Sequence, residues 1–462
     1  MSEPSPRFGV RTDDLMKDRL RYYLSLQRDG ALRAGTRPFR QHYRDRWTRF
    51  RARGARRRSS STFIGVAGSS AKTTTTCLLG HILERHGNVY VQAKRNMVRH
   101  VTETAKAGKP SVDFVVSEVG VARLGDMEPM ADLLQPDVAI VTFIGLDHRS
   151  AFRTREAIAG EKGALVEAIR PGGFAVLNAD DELVMSMADR TDARIVTFGR
   201  DCDADYRVIS ASSSYPGPLT VNIVWLGGEI RIRSRLLGEH FWLSVVAAVA
   251  AAKELGVPVE TIRERCASFQ PVQNRCTPFA TENGPVFVLD TAKAPWENLL
   301  LAMRVVETAV APRKRIVIGQ ISDYAGNPRA KYRDAYRAAR AVSDQVIFVG
   351  ENAHRSKASQ EDREAGRFIA SRTAREVHQH IKHTAVAGEM ILLKSSRNLH
   401  LERVALAWKH DVRCWVDQCG LLRDCVDCGL YETPFEEHEA ILQERAARAR
   451  RRRWKNRLVR RG

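Results

Sequence analysis

The sequence predicts an α/β protein in which a P-loop ATPase domain with a mostly parallel sheet precedes a Rossmann-like domain, with basic helical tails on either side. Three observations support this prediction. A short apolar run enters a loop of small residues and a Lys-Thr helix start. Apolar strand-like runs then alternate with helical stretches to about residue 411, and several of these runs end in acidic or polar side chains. Because parallel strands end at one edge of their sheet, we expect a ligand site at that edge.

The first of these features is the stretch FIGVAGSSAKTTTTCLL at residues 63–79. Small residues let backbone N–H groups close around a polyphosphate, and the following helix N-terminus adds positive potential. In such a loop Lys72 reaches the terminal phosphates and Thr73 holds Mg²⁺. Ala71 stands where the usual loop has glycine, at a cost on the order of 1 kcal/mol if the position needs positive φ. The residues predicted to line the nucleotide here are Gly65, Gly68, Ser69, Ser70, Ala71, Lys72, Thr73 and Thr74.

The segments that follow this loop predict two successive α/β units. Up to about residue 275, strand-like runs at 113–119, 137–144 and 173–177 alternate with helices at 156–169 and 243–255. A second unit follows, with strands expected at 286–290, 315–318, 345–349 and 390–393. We therefore predict a basic helical segment, a central ATP-binding domain, a C-terminal domain and a cysteine-containing, Arg-rich tail, at residues 1–60, 61–275, 276–411 and 412–462 in turn.

The net charge of +20 is concentrated at the two ends of the chain. Residues 1–60 hold 17 Lys and Arg against 6 acidic residues, and residues 441–462 hold 10 against 1, so the remaining body is neutral. Such ends suit an anionic partner, namely an acidic polymer, a membrane surface or, less favoured, nucleic acid. Solvated tails that only keep the protein soluble are the alternative, and the composition leaves both open.

The sequence pattern is not that of a membrane-spanning or secreted protein. Its longest apolar stretch, residues 243–252, is too short to cross a bilayer, and the first ten residues lack the apolar core of a signal peptide. We expect a cytoplasmic protein with at most peripheral membrane contact. In that compartment its eight cysteines would be thiols or metal ligands.

Four of these cysteines, Cys414, Cys419, Cys425 and Cys428, lie within fifteen residues. Four thiolates could hold a tetrahedral Zn²⁺ and close a module that is too short for a core of its own. Only one pair has the CxxC spacing, so separate thiols on amphipathic helices are the alternative interpretation.

Four stretches, in this order and spacing, resemble the Mur ligases: GVAGSSAKTTTT, SEVGVARLGDM, PDVAIVTFIGLDH and AIAGEKGALVEAIRPGGFAVLNADD. Among Mur ligases the chain is most similar to those that add D-alanyl-D-alanine in peptidoglycan synthesis. The resemblance covers about residues 63–411 and weakens after Gly238. It implies an ATP-dependent amide-bond ligase that activates a carboxylate as an acyl phosphate, which an amine then attacks through a tetrahedral intermediate.

The resemblance also implies roles for individual residues. A carboxylate and a γ-phosphate repel each other, so cations must neutralise the charge that develops between them. Lys72 and Thr73 match the residues that hold the β- and γ-phosphates and the first Mg²⁺, and Glu118 matches a further metal ligand. His148 matches the ligand of a second metal, and Lys162 matches the lysine that the family carbamylates with CO₂ to make a metal-binding carboxylate.

Further nucleotide contacts are implied by weaker matches. GEHFWLSVVAAVAAA resembles the family's Gly-x-His-Asn stretch, but Phe241 and Ser244 replace the two asparagines, so adenine contacts there are not implied. Asn178 follows a predicted strand, where it could equally belong to a turn. The additional residues that the resemblance places at the nucleotide are Asn178, His240, Arg275, Asp290 and Lys293.

A late stretch, LLKSSRNLHLE, resembles the family's Lys-Gly-Ser motif, with Ser395 in place of glycine. The resemblance implies that Lys394, Ser396 and Arg397 face the incoming amine or the acyl substrate.

The largest departure from the family lies before the loop. Mur ligases carry an N-terminal α/β domain that binds the UDP-sugar, whereas this loop begins near residue 65, after a basic segment without an evident core. We therefore expect an acyl substrate other than the UDP-muramyl peptide, such as an acidic peptide, polymer or glycan, joined to an amino acid or dipeptide amine. Two further hypotheses stay open: a degenerate ATP-binding relative without turnover, and a nucleic-acid-associated P-loop NTPase.

Overall fold

The computed structural model describes residues 32–94, 96–146, 151–324, 326–421 and 423–459. These residues form two α/β domains, each built on its own sheet. A long helix precedes the first domain, and a cysteine-containing segment and another long helix follow the second. The predicted α/β class is confirmed. None of the described helices combines the length and the apolar character that a membrane span requires.

The strands of the first domain are β1 Thr62–Ala67, β2 Val89–Gln92, β3 Phe114–Glu118, β4 Val138–Val141, β5 Phe174–Asn178, β6 Arg194–Gly199, β7 Tyr206–Ser212, β8 Leu219–Trp225 and β9 Gly228–Ser234. Within the described ranges they form one sheet in the order β2-β3-β1-β4-β5-β6-β7-β8-β9. Strands β2 to β7 pair in parallel, and β7 to β9 form an antiparallel meander. Strand β1 therefore lies between β3 and β4, and the ends of all three meet at one edge.

The helices up to this domain's end are α1 Leu32–Arg57, α2 Lys72–Leu83, α3 Val98–Thr104, α4 Met127–Leu134, α5 Arg155–Glu167, α6 Glu182–Met185, α7 Trp242–Glu254 and α8 Val259–Ser268. They cover both faces of the sheet, which is why its central strands are apolar throughout rather than alternating. Ile64 and Val66 of β1 enter the core on one face, and Phe63 enters the core on the other.

The second domain has the strands β10 Thr277–Ala280, β11 Val286–Asp290, β12 Lys314–Ile318, β13 Gln345–Val349, β14 Phe368–Ser371 and β15 Met390–Lys394. Their order is β10-β11-β15-β12-β13-β14, and all neighbours pair in parallel except β10 with β11. The accompanying helices are α9 Trp296–Thr308, α10 Pro328–Val342, α11 Gln360–Glu364, α12 Ala374–Thr384 and α13 Glu402–Leu406. Strands β11 and β15 are neighbours, so their carboxyl ends, Asp290 and Lys394, lie side by side.

The C-terminal part of the chain has little regular structure before its last helix. One helical turn, α14 Cys425–Cys428, carries the CxxC pair, and α15 His438–Val459 is the Arg-rich helix expected from the sequence. The 3₁₀ turns described in the chain are Ala188–Arg190, Glu239–Phe241, Glu351–Ser356, Arg397–Leu399 and Phe435–Glu437.

Helix α1 is docked on the first domain by its last turn. The Arg56 side chain is fully buried, with Nε donating to Leu134 O (2.7 Å) and Nη2 donating to Asp137 Oδ2 (2.8 Å). Its guanidinium also lies 4.0 Å from the centre of the Phe63 ring. This arginine belongs to the packing of the central domain, so it is not among the charges that the basic N-terminal segment could offer to an anionic partner.

The two domains share a continuous apolar contact. Leu237 of the first domain and Val305 of α9 belong to the same buried core. Val310 N donates to Tyr215 O (3.0 Å) across the boundary, and Leu146 N donates to Glu297 Oε1 (3.4 Å) near the strand ends of the first sheet. The second domain therefore faces the edge at which β1, β3 and β4 end.

Candidate active site

The loop between β1 and α2 turns sharply and contacts the end of β4. Gly68 has φ +140°, and a Cβ added there would lie 2.1 Å from Thr142 Oγ1, so only glycine fits. Ser69 N donates to Phe143 O (2.7 Å), and Thr142 Oγ1 donates to Ser70 O (2.7 Å). The loop is thus fixed in shape by the neighbouring strand end.

Ala71 closes the loop in the left-handed region, with φ 65°. The position therefore does have positive φ, a conformation that is strained for a residue with a Cβ. The Ala71 carbonyl accepts from Thr75 N (3.0 Å) and from Ser244 Oγ of α7 (3.4 Å). Helix α2 then begins at Lys72, with its N-terminus at the loop.

The Lys72 side chain folds back over the loop. Its Nζ donates to Gly68 O (2.5 Å) and lies 3.4 Å from Ser69 O, and the residue is buried. An ammonium group held by carbonyl oxygens at a helix N-terminus is placed to meet the phosphates of a nucleotide in this loop.

Thr73 and Glu118 come together beside the loop. Thr73 Oγ1 donates to Glu118 Oε2 (2.9 Å), and both residues are buried. The same carboxylate accepts from Lys94 N (2.8 Å) and from Asn96 Nδ2 (3.3 Å). A hydroxyl and a carboxylate oxygen are ligands that suit Mg²⁺, so this pair fits the metal role predicted for it.

Lys162 reaches the same loop from α5. The side chain is 1% exposed, and Nζ donates to Ser69 Oγ (2.9 Å), which in turn lies 3.0 Å from Gly145 O. Helix α5 is capped by Thr154, whose hydroxyl accepts a hydrogen bond from Ala157 N (3.2 Å). The helix therefore begins beside the strand ends. His148, predicted to bind a second metal, lies outside the described residues.

Polar residues at or after the ends of β4 and β5 form hydrogen bonds that stabilise this edge of the sheet. Asn178 Nδ2 donates to Thr142 O (2.9 Å), so its amide ties two strand ends together. The buried Asp181 accepts from Ile144 N (2.8 Å) and lies 3.5 Å from Arg155 Nη2. The sequence did not single out Asp181, although its place three residues after the end of β5, in Asn-Ala-Asp-Asp, is a usable signal.

A second cluster forms where the other domain meets this edge. Lys394 Nζ donates to Asp290 Oδ2 (2.5 Å) and to Lys293 O (2.9 Å). His240 lies close to the charges of Asp290 and Lys394. Burial lowers the pKa of His240 to about 4, although the negative charge of Asp290 raises it. Arg275 lies near Cys77 of α2, where its charge partly offsets the burial that raises the pKa of that thiol to about 11.

The remaining predicted substrate residues lie just after β15. Ser396 N donates to Gln320 O (3.0 Å), and Ser396 Oγ lies 3.3 Å from Gln320 Oε1. Arg397 Nε lies 3.0 Å from Asp424 Oδ1, in the cysteine-containing segment. The sequence did not suggest that this segment reaches the end of β15.

The structure thus places the predicted residues in two groups. The loop residues, Glu118 and Lys162 form one group on the first domain, and Asp290, Lys394 and His240 form the other at the junction of the two domains. Clefts between domains are where ligand sites often form.

Comparisons with known proteins identify related sequences and folds. The sequence profile described as "Mur ligase middle domain" matches residues 66–252. The UDP-N-acetylmuramoyl-tripeptide–D-alanyl-D-alanine ligase of Mycobacterium leprae is 30% identical over 252 residues, which cover 50% of this chain and 47% of that protein. The Bacillus subtilis protein of the same name is 23% identical over 346 residues, covering 74% of each. The chain therefore spans about half the length of the mycobacterial relatives that it matches.

Solved structures show the same fold. MurF from Acinetobacter baumannii has a TM-score of 0.68 at 23% identity, covering 77% of this chain and 78% of that one. The MurF ligase from Thermotoga maritima in complex with ADP has a TM-score of 0.69 at 21% identity, covering 78% and 82%. The relationship suggested by the sequence motifs is thereby confirmed. Residues 66–252 of this chain match the Mur ligase middle domain, and the chain shares the fold of the solved MurF structures.

Proposed function

We propose that the chain is an ATP- and Mg²⁺-dependent ligase that joins a substrate carboxylate to the amine of an amino acid or dipeptide. The observation that carries this proposal is the convergence of Lys72, the Thr73–Glu118 pair and Lys162 on one loop. A simple nucleotide-binding domain has no need of a buried lysine from a separate helix at that loop. One similar structure was solved in complex with ADP, which supports nucleotide binding by this fold.

The loop would hold the ATP phosphates through its backbone N–H groups and Lys72. Thr73 and Glu118 would hold Mg²⁺, which when bound neutralises charge on the phosphates and polarises the γ-phosphate. The substrate carboxylate would attack the γ-phosphorus with loss of ADP, and the amine would then attack the acyl carbon with loss of phosphate. The role of the chain in both steps is to hold two anions and an amine in line and to stabilise the charge that develops.

We extend the proposal to Lys162, whose amine would carry a carbamate in the active protein. A buried ammonium is costly, and a carbamate at this position would replace it with a carboxylate that can bind a metal ion. The position of Nζ, 2.9 Å from Ser69 Oγ, supports this role because it adjoins the phosphate loop. NMR with carbon-13 bicarbonate tests it: a carbamate signal should appear in the wild-type protein and be lost in Lys162→Ala.

The second domain would complete the site on closure. His240, Arg275, Asp290 and Lys293 would contact the nucleotide, and Asn178 would brace the strand ends beneath it. Lys394, Ser396 and Arg397 would meet the amine or the acyl substrate, because they match the family motif and lie at or just after the end of β15. The Asp290–Lys394 pair supports the arrangement, because it presents a balanced pair of charges at the cleft.

For the acyl substrate we propose an anionic chain, which the Arg-rich ends would attract to the protein by long-range electrostatics. The names of the relatives describe ligation of D-alanyl-D-alanine to UDP-N-acetylmuramoyl-tripeptide, so that pair must be tested beside acidic peptides, polymers and glycans. The same ends would also give peripheral binding to an anionic membrane surface.

Phosphate release from ATP, measured against a matrix of acids and amines, tests this function. Release should require Mg²⁺, one acid and one amine together, and it should vanish in Lys72→Ala but persist in Lys109→Ala, a matched exposed lysine of the same domain. Release that needs neither acid nor amine, or that RNA or DNA stimulates at physiological salt, would contradict the ligase and favour an NTPase. ATP binding without turnover for any pair would favour a degenerate relative.

A further inference from the structure

The four clustered cysteines line one small cavity in the C-terminal part of the chain, together with His400, Arg403 and His438. We infer that this cavity is a structural Zn²⁺ site ligated by the thiolates of Cys414, Cys419, Cys425 and Cys428. The site is separate from the proposed ligase chemistry, and its metal content can be measured without ATP.

This part of the chain has only a small apolar core. Between α13 and α15 the described residues form only the single turn α14 and a 3₁₀ turn, and their buried apolar cluster consists of Leu406, Val412 and Cys425. Cys414 N donates to Tyr431 O (3.0 Å), which closes the segment into a loop around the cavity. A loop with so small a core needs a cross-link, and a metal ion held by four side chains supplies one.

The buried charge of Arg403 also points to a metal centre in the cavity. Arg403 is 2% exposed, yet Nε donates to Cys425 Sγ (3.2 Å) and Nη1 donates to Val416 O (2.6 Å). A buried guanidinium needs a negative partner close by. Zn²⁺ with four thiolates carries a net charge of −2, so a metal centre in the cavity would give Arg403 that partner through an N–H···S hydrogen bond.

His400 lines the proposed zinc site and contacts two of its cysteines. Its Nε2 lies 3.1 Å from Cys419 Sγ, and its Nδ1 lies 3.6 Å from Cys425 Sγ and 3.4 Å from Glu402 Oε1. The ligand-type atoms of His400, Glu402 and Cys425 all lie within 4.8 Å of one another. Because four thiolates complete a tetrahedral shell, we assign His400 to the layer outside the ligands, where it orients two of the sulfur atoms.

The site also connects the cysteine segment to both domains at the cleft. Asp424, directly before Cys425, lies 3.0 Å from Arg397 Nε of the second domain and 3.8 Å from Lys94 Nζ of the first. Asp427, inside the CxxC turn, lies 3.4 Å from the same Lys94 Nζ. Metal ligation that fixes this turn would also fix the side chains of Lys94 and Arg397. Both lie beside the candidate active site, because the backbone N–H of Lys94 donates to Glu118.

Metal analysis of the purified protein by atomic emission is the direct test. The wild-type protein should carry about one zinc per chain. The double variant Cys414→Ser/Cys428→Ser should carry less than about a tenth of that amount. The control variant Cys202→Ser, which changes an exposed cysteine elsewhere, should retain all of its zinc. Zinc that stays in the double variant, or disulfides in place of free or metal-bound thiols in the wild-type protein, would overturn the inference.

A chelator experiment on the wild-type chain removes the risk that the variants fail to fold. A strong chelator should release one zinc per chain, and added Zn²⁺ should rebind with the same stoichiometry. A chain that releases none and takes up none would overturn the site. Replacement by Co²⁺ should give intense thiolate charge-transfer bands, and their absence would contradict sulfur ligation.

The ligand assignment has its own test. His400→Gln should keep about one zinc per chain, whereas Cys419→Ser should lower the affinity sharply, because the serine hydroxyl is a poor zinc ligand. The opposite pattern, with zinc lost from His400→Gln and kept in Cys419→Ser, would overturn the four-cysteine assignment.

Discussion

Glu118 holds two parts of the candidate site in place, because its carboxylate binds the Thr73 hydroxyl at the start of α2 and the Lys94 backbone N–H beyond β2. A neutral amide in its place would keep the shape and remove the negative charge that a divalent cation needs. Glu118→Gln should therefore raise the Mg²⁺ concentration for half-maximal ATP turnover by about 10–100-fold.

A Mg²⁺ titration of phosphate release measures this shift. Glu103→Gln, which changes an exposed glutamate of α3, is the matched control and should leave the Mg²⁺ midpoint unchanged. An unchanged midpoint in Glu118→Gln would remove Glu118 from the metal site.

Ala71 carries a backbone conformation that favours glycine, with φ 65°. Ala71→Gly should relieve that strain, while the extra freedom of glycine in the unfolded chain offsets part of the gain, so we expect stability to rise by up to about 1 kcal/mol. Ala338→Gly in α10 is a control of opposite sign, with an expected loss of about 1 kcal/mol. Urea unfolding of both variants measures the effect, and a loss of stability in Ala71→Gly would show that the loop does not strain this residue.

At the scale of elements, the 3₁₀ turn Glu239–Phe241 brings His240 to the domain junction. The pKa of His240 is about 4 in the folded protein, against an ordinary value of 6.5. As the pH falls from about 6.5 towards 4, the unfolded chain binds the proton first, so the folded state loses stability over this window. His240→Gln should therefore lose less stability than the wild-type protein between pH 7 and pH 5.

Urea midpoints at the two pH values measure that difference. His86→Gln, which changes an exposed histidine, should lose as much stability as the wild-type protein. An equal acid-dependent loss in His240→Gln and the wild-type protein would show that the junction does not keep His240 from being protonated.

Elements whose two faces are buried could be predicted from the sequence. The expected strands at 286–290 and 345–349 coincide with β11 and β13, because a run of apolar residues at strand length leaves little choice. Strands β2 and β14 were missed, since each has four residues, is partly exposed and lies at a sheet edge where no apolar run is required. Periodicity does not mark such short edge strands.

The candidate site, like the fold, could be predicted only in part from the sequence. The loop and Glu118 stand in contiguous motifs at strand ends, so the sequence marks them directly. The Asp290–Lys394 pair depends on β11 and β15 being neighbours, although 104 residues separate the two side chains along the chain. The contact of Arg397 with Asp424 likewise depends on how the cysteine segment folds back, which spacing alone does not reveal.

At the scale of the whole molecule, the positive ends are expected to act as an electrostatic attachment for an anionic substrate. Replacing Arg448 and Arg451 of α15 by glutamine should lower the salt concentration at which the protein leaves an anionic polymer, because fewer counterions are released on binding. Arg231→Gln/Arg233→Gln changes two exposed arginines of β9 and is the matched control. Equal shifts for both variants would mean that only net charge matters, not its position at the end of the chain.

In the proposed mechanism, the two domains close around ATP so that a carboxylate is phosphorylated before an amine attacks it. The most direct test uses the acid–amine pair that releases phosphate fastest, with the acid labelled by oxygen-18 in its carboxylate. An acyl phosphate requires that one labelled oxygen leave in the phosphate while the other stays in the amide, and mass spectrometry of both products reads this out. We predict labelled phosphate in a one-to-one ratio with the amide, and neither product in Lys72→Ala. Unlabelled phosphate, or phosphate formed without amide, would contradict the ligase mechanism.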